Sequence, residues 1–578
     1  MNKRNILLII SGVTIFVGIG AWYLFFKKSN LPKYIPLDSM MVLKIDPSSL
    51  ASKLDKKALQ SMSFYKKLSQ KMDDEGIKVD QLLENPEETG MLLSDNIYCF
   101  SDMKGKKPCI GIVFAVADKN KLKGFLNNLT RNSSVKFKES NGNFMFVESE
   151  RNDDYPSSNT AIVWNDDACI VYNSNEESDI EATNLLKLSK EASILSSDAF
   201  SSSEDKGGDI SMYLNFKRLT SLIGKELDES NEDKLIFEKV KDNLENTDGA
   251  SLVINLNQDN IDMEIFQFLN QGGNTSNLSI LSESGIQEKY VDFISTNGDV
   301  LFGMSAVLNM ENVFKLTNTI PGYDKVKDEI EEEFGLTESE MKDLFDGTLT
   351  FAINEIKTKQ KGTYDSDLKG SYNGYENSND QGNYESNRLK RYTPIPIFSI
   401  QIGLNNPSAY QKILRKLKRE TEDNLIFDDN LVIIPFEEQI GKICLVQLKD
   451  RLIITNDESS AKILKNNGKW SASINQECKT LFTENPISMY LNLDYKKYIN
   501  SETEKVLDDS PSTKRELENF KKIMENFKTL EMSGNNLSAK IKLNFTQSNT
   551  HVLMRIFGFM NDLYTELEKN KNKDFDAS

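Results

Sequence analysis

The residues that could do chemistry in this chain are few and scattered. One histidine, His551, serves all 578 residues. That removes histidine-rich metal sites and disfavours Ser-His and Cys-His nucleophile pairs. His551 falls at the head of a helical apolar pattern, Thr550 to Leu567, where a packing or helix-surface role is expected. The five cysteines, Cys99, Cys109, Cys169, Cys444 and Cys478, never form a CxxC pair, so they define neither a zinc site nor a dense disulfide framework. Cys99 and Cys109 flank a predicted hairpin, where a cross-strand disulfide is conceivable in an oxidising compartment. Two buried free thiols are the plainer expectation.

Paired acids come next: Asp153-Asp154, Asp166-Asp167, Asp428-Asp429 and Glu331 to Glu333. Their contexts are turn-like or charged helix, none has the spacing of a calcium-binding loop, and solvated turns and faces are expected. A glycosidase-like carboxylate pair is set by space and not by spacing, so the sequence leaves that chemistry open. No Gly-rich phosphate loop ends in Lys-Ser or Lys-Thr. No catalytic residue, metal or cofactor is therefore assigned. What remains is a set of five tyrosines, Tyr364, Tyr372, Tyr375, Tyr384 and Tyr392, spaced among Gly, Asn and Ser between Lys357 and Pro396. That mixture suits an adaptable interaction loop.

Acids outnumber bases, 88 to 70, for a net charge of −18, and the bases are dispersed. Phosphate binding needs a concentrated basic footprint, so nucleic acid is not an expected partner.

The elements that would position these residues recur. ISMYLN occurs at Ile210–Asn215 and again at Ile487–Asn492. DACIVYN from Asp167 is answered by DRLIITN from Asp450, and CIGIVFAVADKNKLKGFLNNL from Cys109 by IFSIQIGLNNPSAYQKILRKL from Ile397. The order is the same each time, so the body reads as two diverged copies, 34–285 and 286–569, followed by a polar tail, 570–578. In each copy a β-branched or aromatic strand ends in Asp or Asn that can cap a helix, at Asp46, Asp118, Asn215, Asn309, Asn405 and Asn492. This predicts an α+β class with antiparallel sheet covered on one face by helices. Residues 357–396, where the first copy has only the turn from Ser101 to Pro108, read as an inserted loop.

Residues 6–26 carry no charge, and about 20 apolar residues span a bilayer as a helix. Residues 1–33 are thus expected to be a short tail and a transmembrane anchor. Trp22 and Tyr23 stand where an aromatic belt would, beside Lys27 and Lys28.

The run KYIPLDSMMVLKIDPSSLASKL from Lys33, with ENPEETGMLLSDNIYCF from Glu84 and LFDGTLTFAIN from Leu344, resembles a family of uncharacterised exported envelope proteins of Bacteroides and relatives, a domain of unknown function. The resemblance implies an envelope location and supplies no catalytic residue. Family members are often lipid-anchored through an early cysteine, whereas this chain has none before Cys99. The basic residues flanking 6–26 are nearly balanced. With the resemblance, the expected orientation has the tail inside and the body exported, on the periplasmic or cell-surface side; a cytoplasmic body is the alternative. The expected role is a non-enzymatic binding or scaffold protein with an envelope protein or polymer as partner. The alternative is a carboxylate-dependent hydrolase of envelope polymers, which would need a deep cleft with one carboxyl pKa raised.

Overall fold

The computed structural model describes residues 30–576 except 75–78, 81–84, 105–106, 131–135, 141–142, 148–158, 175–177, 227–245, 271–278, 319, 321, 361–391, 421–424, 436–441, 471–472 and 499–510. The chain divides into two units. The first comprises Met1–Thr275, Leu537–Lys542 and Gln547–Ser578, and the second Ser276–Asn536 and Leu543–Thr546.

In the first unit the strands are β1 (Met41–Ile45), β2 (Ile97–Lys104), β3 (Lys107–Ala115), β4 (Lys136–Ser140), β5 (Asn143–Val147), β6 (Asn159–Trp164), β7 (Ala168–Ser174), β8 (Ile210–Asn215), β9 (Thr247–Leu256) and β10 (Asn260–Leu269). All pairings among them are antiparallel, in the order β4-β5-β6-β7-β3-β2-β1-β8-β9-β10. The helices are α1 (Pro47–Ser52), α2 (Lys56–Ser61), α3 (Ser63–Asp74), α4 (Lys119–Thr130), α5 (Ser178–Leu185), α6 (Asp198–Glu204) and α7 (Phe216–Glu226). Asp46 caps α1 by accepting from the Ser49 N–H at 2.9 Å, and Asn215 caps α7 through the Arg218 N–H at 3.1 Å.

The second unit has β11 (Phe302–Val307), β12 (Phe345–Gln360), β13 (Tyr392–Leu404), β14 (Ile426–Asp428), β15 (Leu431–Pro435), β16 (Lys442–Leu448), β17 (Arg451–Thr455), β18 (Ile487–Asn492), β19 (Phe527–Gly534) and β20 (Ser538–Phe545). Their order, β14-β15-β16-β17-β13-β12-β11-β18-β19-β20, repeats that of the first unit strand for strand. The two ISMYLN strands hold the same place: Met212 lies across from Leu43, and Met489 across from Met304. The helices here are α8 (Glu288–Val291), α9 (Met310–Thr317), α10 (Tyr323–Phe334), α11 (Glu338–Lys342), α12 (Pro407–Glu420), α13 (Glu458–Asn467), α14 (Gln476–Glu484) and α15 (Pro511–Met524). A last helix, α16 (Val552–Asp576), belongs to the first unit.

Helices cover both sheet faces, not one as expected. Ile162 and Trp164 join a core with Tyr65, Leu122 and Met554, while Ala161 and Val163 on the other face meet Ala182 and Phe200. The reason is legible in β7, whose run ACIVYNS is apolar at successive positions and not at alternate ones. Such a strand must be buried on both sides.

The expected transmembrane helix is not upheld. Among the described residues no helix is long and apolar enough to cross a membrane. The 25 residues of α16 have the length, but Arg555, Asp562 and Glu568 interrupt the apolar pattern, and a charge at mid-bilayer is costly. Residues 6–26 themselves lie outside the described residues.

Candidate functional site

The second unit carries a buried polar constellation under α8. A four-residue helix cannot satisfy its own terminal carbonyls, and sheet side chains do it instead. Arg451 Nη1 donates to Lys289 O at 2.6 Å, Gln401 Nε2 to Tyr290 O at 3.1 Å, and Ser399 Oγ to Ile294 O, just beyond the helix, at 2.6 Å. Arg451, its side chain 6% exposed, forks onto Asp450 at 2.7 and 3.1 Å. Its guanidinium lies 4.5 Å from the Tyr290 ring centroid and 4.3 Å from that of Phe293. Lys289 Nζ reaches Asp450 at 2.9 Å. The Arg451 hydrogen bond, followed by Lys289, holds the Asp450 carboxyl down to about 2. Tyr290 donates to Asp346, and burial, then that hydrogen bond, pushes its phenol up. Every charge in this cluster is answered by another group of the chain, as a buried network requires.

Asp346 also lines an open groove of about 630 Å³. Its apolar floor is Met310 and Phe314 of α9 with Phe345 of β12, and Glu311, Lys315 and Lys342 stand around it. Lys315 pairs with Glu311 at 2.7 Å and Lys342 with Glu338 at 2.6 Å. The floor is shaped by a turn only glycine permits. Gly347 has φ 90°, and a Cβ there would come within 2.1 Å of Leu308 O. The close approach lets the Leu308 N–H donate to Gly347 O at 2.9 Å. A second open groove, about 830 Å³, lies in the first unit between Asp38, Asp198, Asn215, Lys217, Arg218 and Asp248. Arg218 is committed there to Asp102 through 2.8 and 2.9 Å bonds. Among the described residues no set of His, Cys, Asp and Glu could hold a metal ion.

The family model of DUF4836, a domain of unknown function, matches residues 32–553. The chain belongs to that family. No curated protein matches it. A solved structure, crystal form I of TP0453, is 9% identical over 42% of this chain and 80% of that one, at a TM-score of 0.23, too low to argue from.

Of the five tyrosines expected to form an interaction loop in this DUF4836 chain, Tyr364, Tyr372, Tyr375 and Tyr384 lie outside the described residues. Tyr392 opens β13, opposite Gln360. The expected loop 357–396 is thereby corrected at both ends: Lys357–Gln360 and Tyr392–Pro396 are paired strand. Pro394 and Pro396 fit within this strand because proline breaks a ladder only where its missing N–H is needed. β13 pairs with β17 only over Ser399–Gly403. Pro396 O accepts from Asn456 Nδ2 at 2.8 Å on the β17 side, so both prolines turn their donor-less nitrogens to the edge that β17 has already left.

His551 caps α16, its Nδ1 accepting from the Leu553 N–H at 3.2 Å, and burial lowers its pKa. Asp166 and Asp167 sit in the β6–β7 turn that Asn165 closes, and Asp428 and Asp429 in the β14–β15 turn. Glu331–Glu333 are exposed on α10, and Asp153-Asp154 lie outside the described residues. No disulfide joins Cys99 and Cys109. Cys99 faces Ile112 and Cys109 faces Asp102 across β2–β3, so the two thiols point to opposite sides of the sheet. Sequence reasoning missed a Lys-Tyr pair present in both units. Lys33 and Lys289 each lie over the following tyrosine ring, at 4.6 and 4.8 Å, and reach Asp167 and Asp450. The signal was available: KYI and KYV stand at matching places ahead of the repeated DACIVYN and DRLIITN runs.

Proposed function

We propose that this DUF4836 member is a non-enzymatic binding or scaffold protein of the cell envelope, built from two diverged copies of one unit, and that the α9–α11 side of the second unit is a binding face. One observation carries the reading. Helices α9, α10 and α11 bury no side chain fully, whereas α2 and α3 in the first unit bury Leu59, Tyr65 and Met72. A groove with an apolar floor and an internally paired rim beside such helices favours a partner over a reaction. The described carboxylates whose ionisation is displaced, such as Asp450, Glu311 and Glu338, are displaced downward, which suits fixed charge and not proton donation. The envelope part rests on the likeness of the run from Lys33 to exported Bacteroides proteins.

The test is capture from an envelope extract on immobilised full-length chain, with Phe314→Lys as comparison. A component retained by the natural chain and lost from the variant is the expected result. Equal retention by both would refute the groove as the binding element.

A further inference from the structure

The first unit shows what kind of element lies on the twelve-residue helix that connects the first two strands of this fold. Between β1 and β2 that helix is α3, and α16 lies along it: Phe64 meets Phe557 with ring centroids 6.1 Å apart, Asn561 accepts from the Ser63 N–H at 2.7 Å, and Lys67 pairs with Glu568 at 3.0 Å. Between β11 and β12 the corresponding helix is α10. Both have twelve residues, and each turns its inner face to the helix that follows the third strand. Tyr65 and Met72 share a core with Leu122 and Leu126 of α4, as Ile330 and Phe334 do with Tyr410 and Ile413 of α12.

Aligning Tyr65, Leu68 and Met72 with Lys327, Ile330 and Phe334 places Phe64 on Val326, Lys67 on Glu329 and Lys71 on Glu333. Val326 is 49% exposed. The hydrophobic contact position is therefore kept but uncovered, and both cations have become acids. Val326, Glu329 and Glu333 stand three and four residues apart, along one helix face.

We infer that the outer face of α10 docks a basic amphipathic helix of another protein, in the manner that α16 docks on α3; this rests on the binding reading above and names its partner. Charge decides against a second copy of this chain, because its α16 would bring Glu568 to Glu329. A helix presenting Lys or Arg there, with an apolar residue over Val326, complements the face.

The probe is a dye-labelled eighteen-residue helix of Leu and Lys in amphipathic order, titrated with the full chain. Glu329→Lys should weaken binding about tenfold, Val326→Ser should weaken it also, and Glu191→Lys, a charge reversal in the first unit, should not. A Leu/Glu helix should prefer the Glu329→Lys variant. The inference is overturned if Glu329→Lys binds like the natural chain, if Glu191→Lys loses as much, or if the same peptide in shuffled order binds equally. Self-association abolished by Val326→Ser would assign the face to a second copy and overturn it as well. If the peptide fails while Phe314-dependent capture from envelope extract persists, only the helix assignment falls; if both fail, so does the binding reading.

Discussion

Arg451 is the residue whose loss should cost most outside the hydrophobic cores. Arg451→Met keeps the length and the packing against Tyr290 and Phe293 but removes the fork to Asp450 and the donor to Lys289 O. Breaking a buried ion pair from one side costs roughly 3–5 kcal/mol. Here Asp450 is 35% exposed and keeps Lys289, which brings the ion-pair part toward about 1–2 kcal/mol. The unmet Lys289 carbonyl beneath α8 adds about 1–2 kcal/mol. A loss near 3 kcal/mol follows, concentrated in the second unit. Hydrogen exchange followed by mass spectrometry on peptides covering Tyr290–Ile294 and Cys444–Thr455 reads it locally, as acceleration of about 100-fold at 1.4 kcal/mol per decade. Arg451→Lys, which keeps charge without the fork, should fall between. Acceleration under about fivefold for Arg451→Met would refute the idea that the guanidinium caps α8.

Gly347→Ala should lower the melting temperature, because the new methyl would meet Leu308 O with no side chain to move aside; Gly124→Ala, with nothing within 4 Å of its Cβ, should be neutral or slightly stabilising by about 0.5–1 kcal/mol. Asp450 has a depressed carboxyl, so its stabilisation is present above the ordinary value of 3.8 and is lost as pH falls toward about 2. Asp450→Asn should flatten the acid limb of stability between pH 4 and pH 2, and an unchanged limb would place that pH dependence elsewhere. Replacing Gly362–Lys390 by a short Gly-Ser turn should leave the melting temperature unchanged, since Gln360 and Tyr392 already face each other and closure cost grows only about 0.6 kcal/mol per doubling of length. A large drop would mean that the tyrosines between them pack into the body.

The shared strand order was legible because both copies preserve local patterns of β-branched residues and caps. Cap positions were legible to within two residues. Asp46, Asp118, Asn215 and Asn309 cap as expected. At Asn405 the cap is its neighbour Asn406, which accepts from the Ala409 N–H, and at Asn492 the asparagine closes a turn while Asp494 caps the next 3-10 turn. Adjacent residues of one chemistry cannot be ranked without the backbone that decides which points inward. Of the constellation under α8, only the KYV run ahead of DRLIITN was legible. Ser399, Gln401 and Arg451 look like ordinary sheet polars until α8 is placed above them, and their roles depend on contacts 105 to 162 residues away. The fully covered sheet was partly legible in β7, where alternation fails.

The prolines of β13 carry a consequence for how the protein meets other chains. The ribbon formed by Glu355–Gln360 and Tyr392–Ile397 continues beyond the strands that flank it. A two-stranded extension whose edges meet no further strand among the described residues is an invitation to misassembly during synthesis and storage. Pro394 and Pro396 close one margin by withholding two successive outward donors, while the margin along β12 keeps its full complement. Recruitment of a foreign strand, whether physiological or pathological, is therefore steered to a single side and, through the fixed direction of β12, to a single orientation for each choice of parallel or antiparallel pairing. Crowded copies of this chain could extend one another's ribbons only by way of β12, so a proline placed at Ile356 or Thr358, which stand opposite Pro396 and Pro394 and turn their own N–H groups outward, would be the most economical solubilising change available to an engineer.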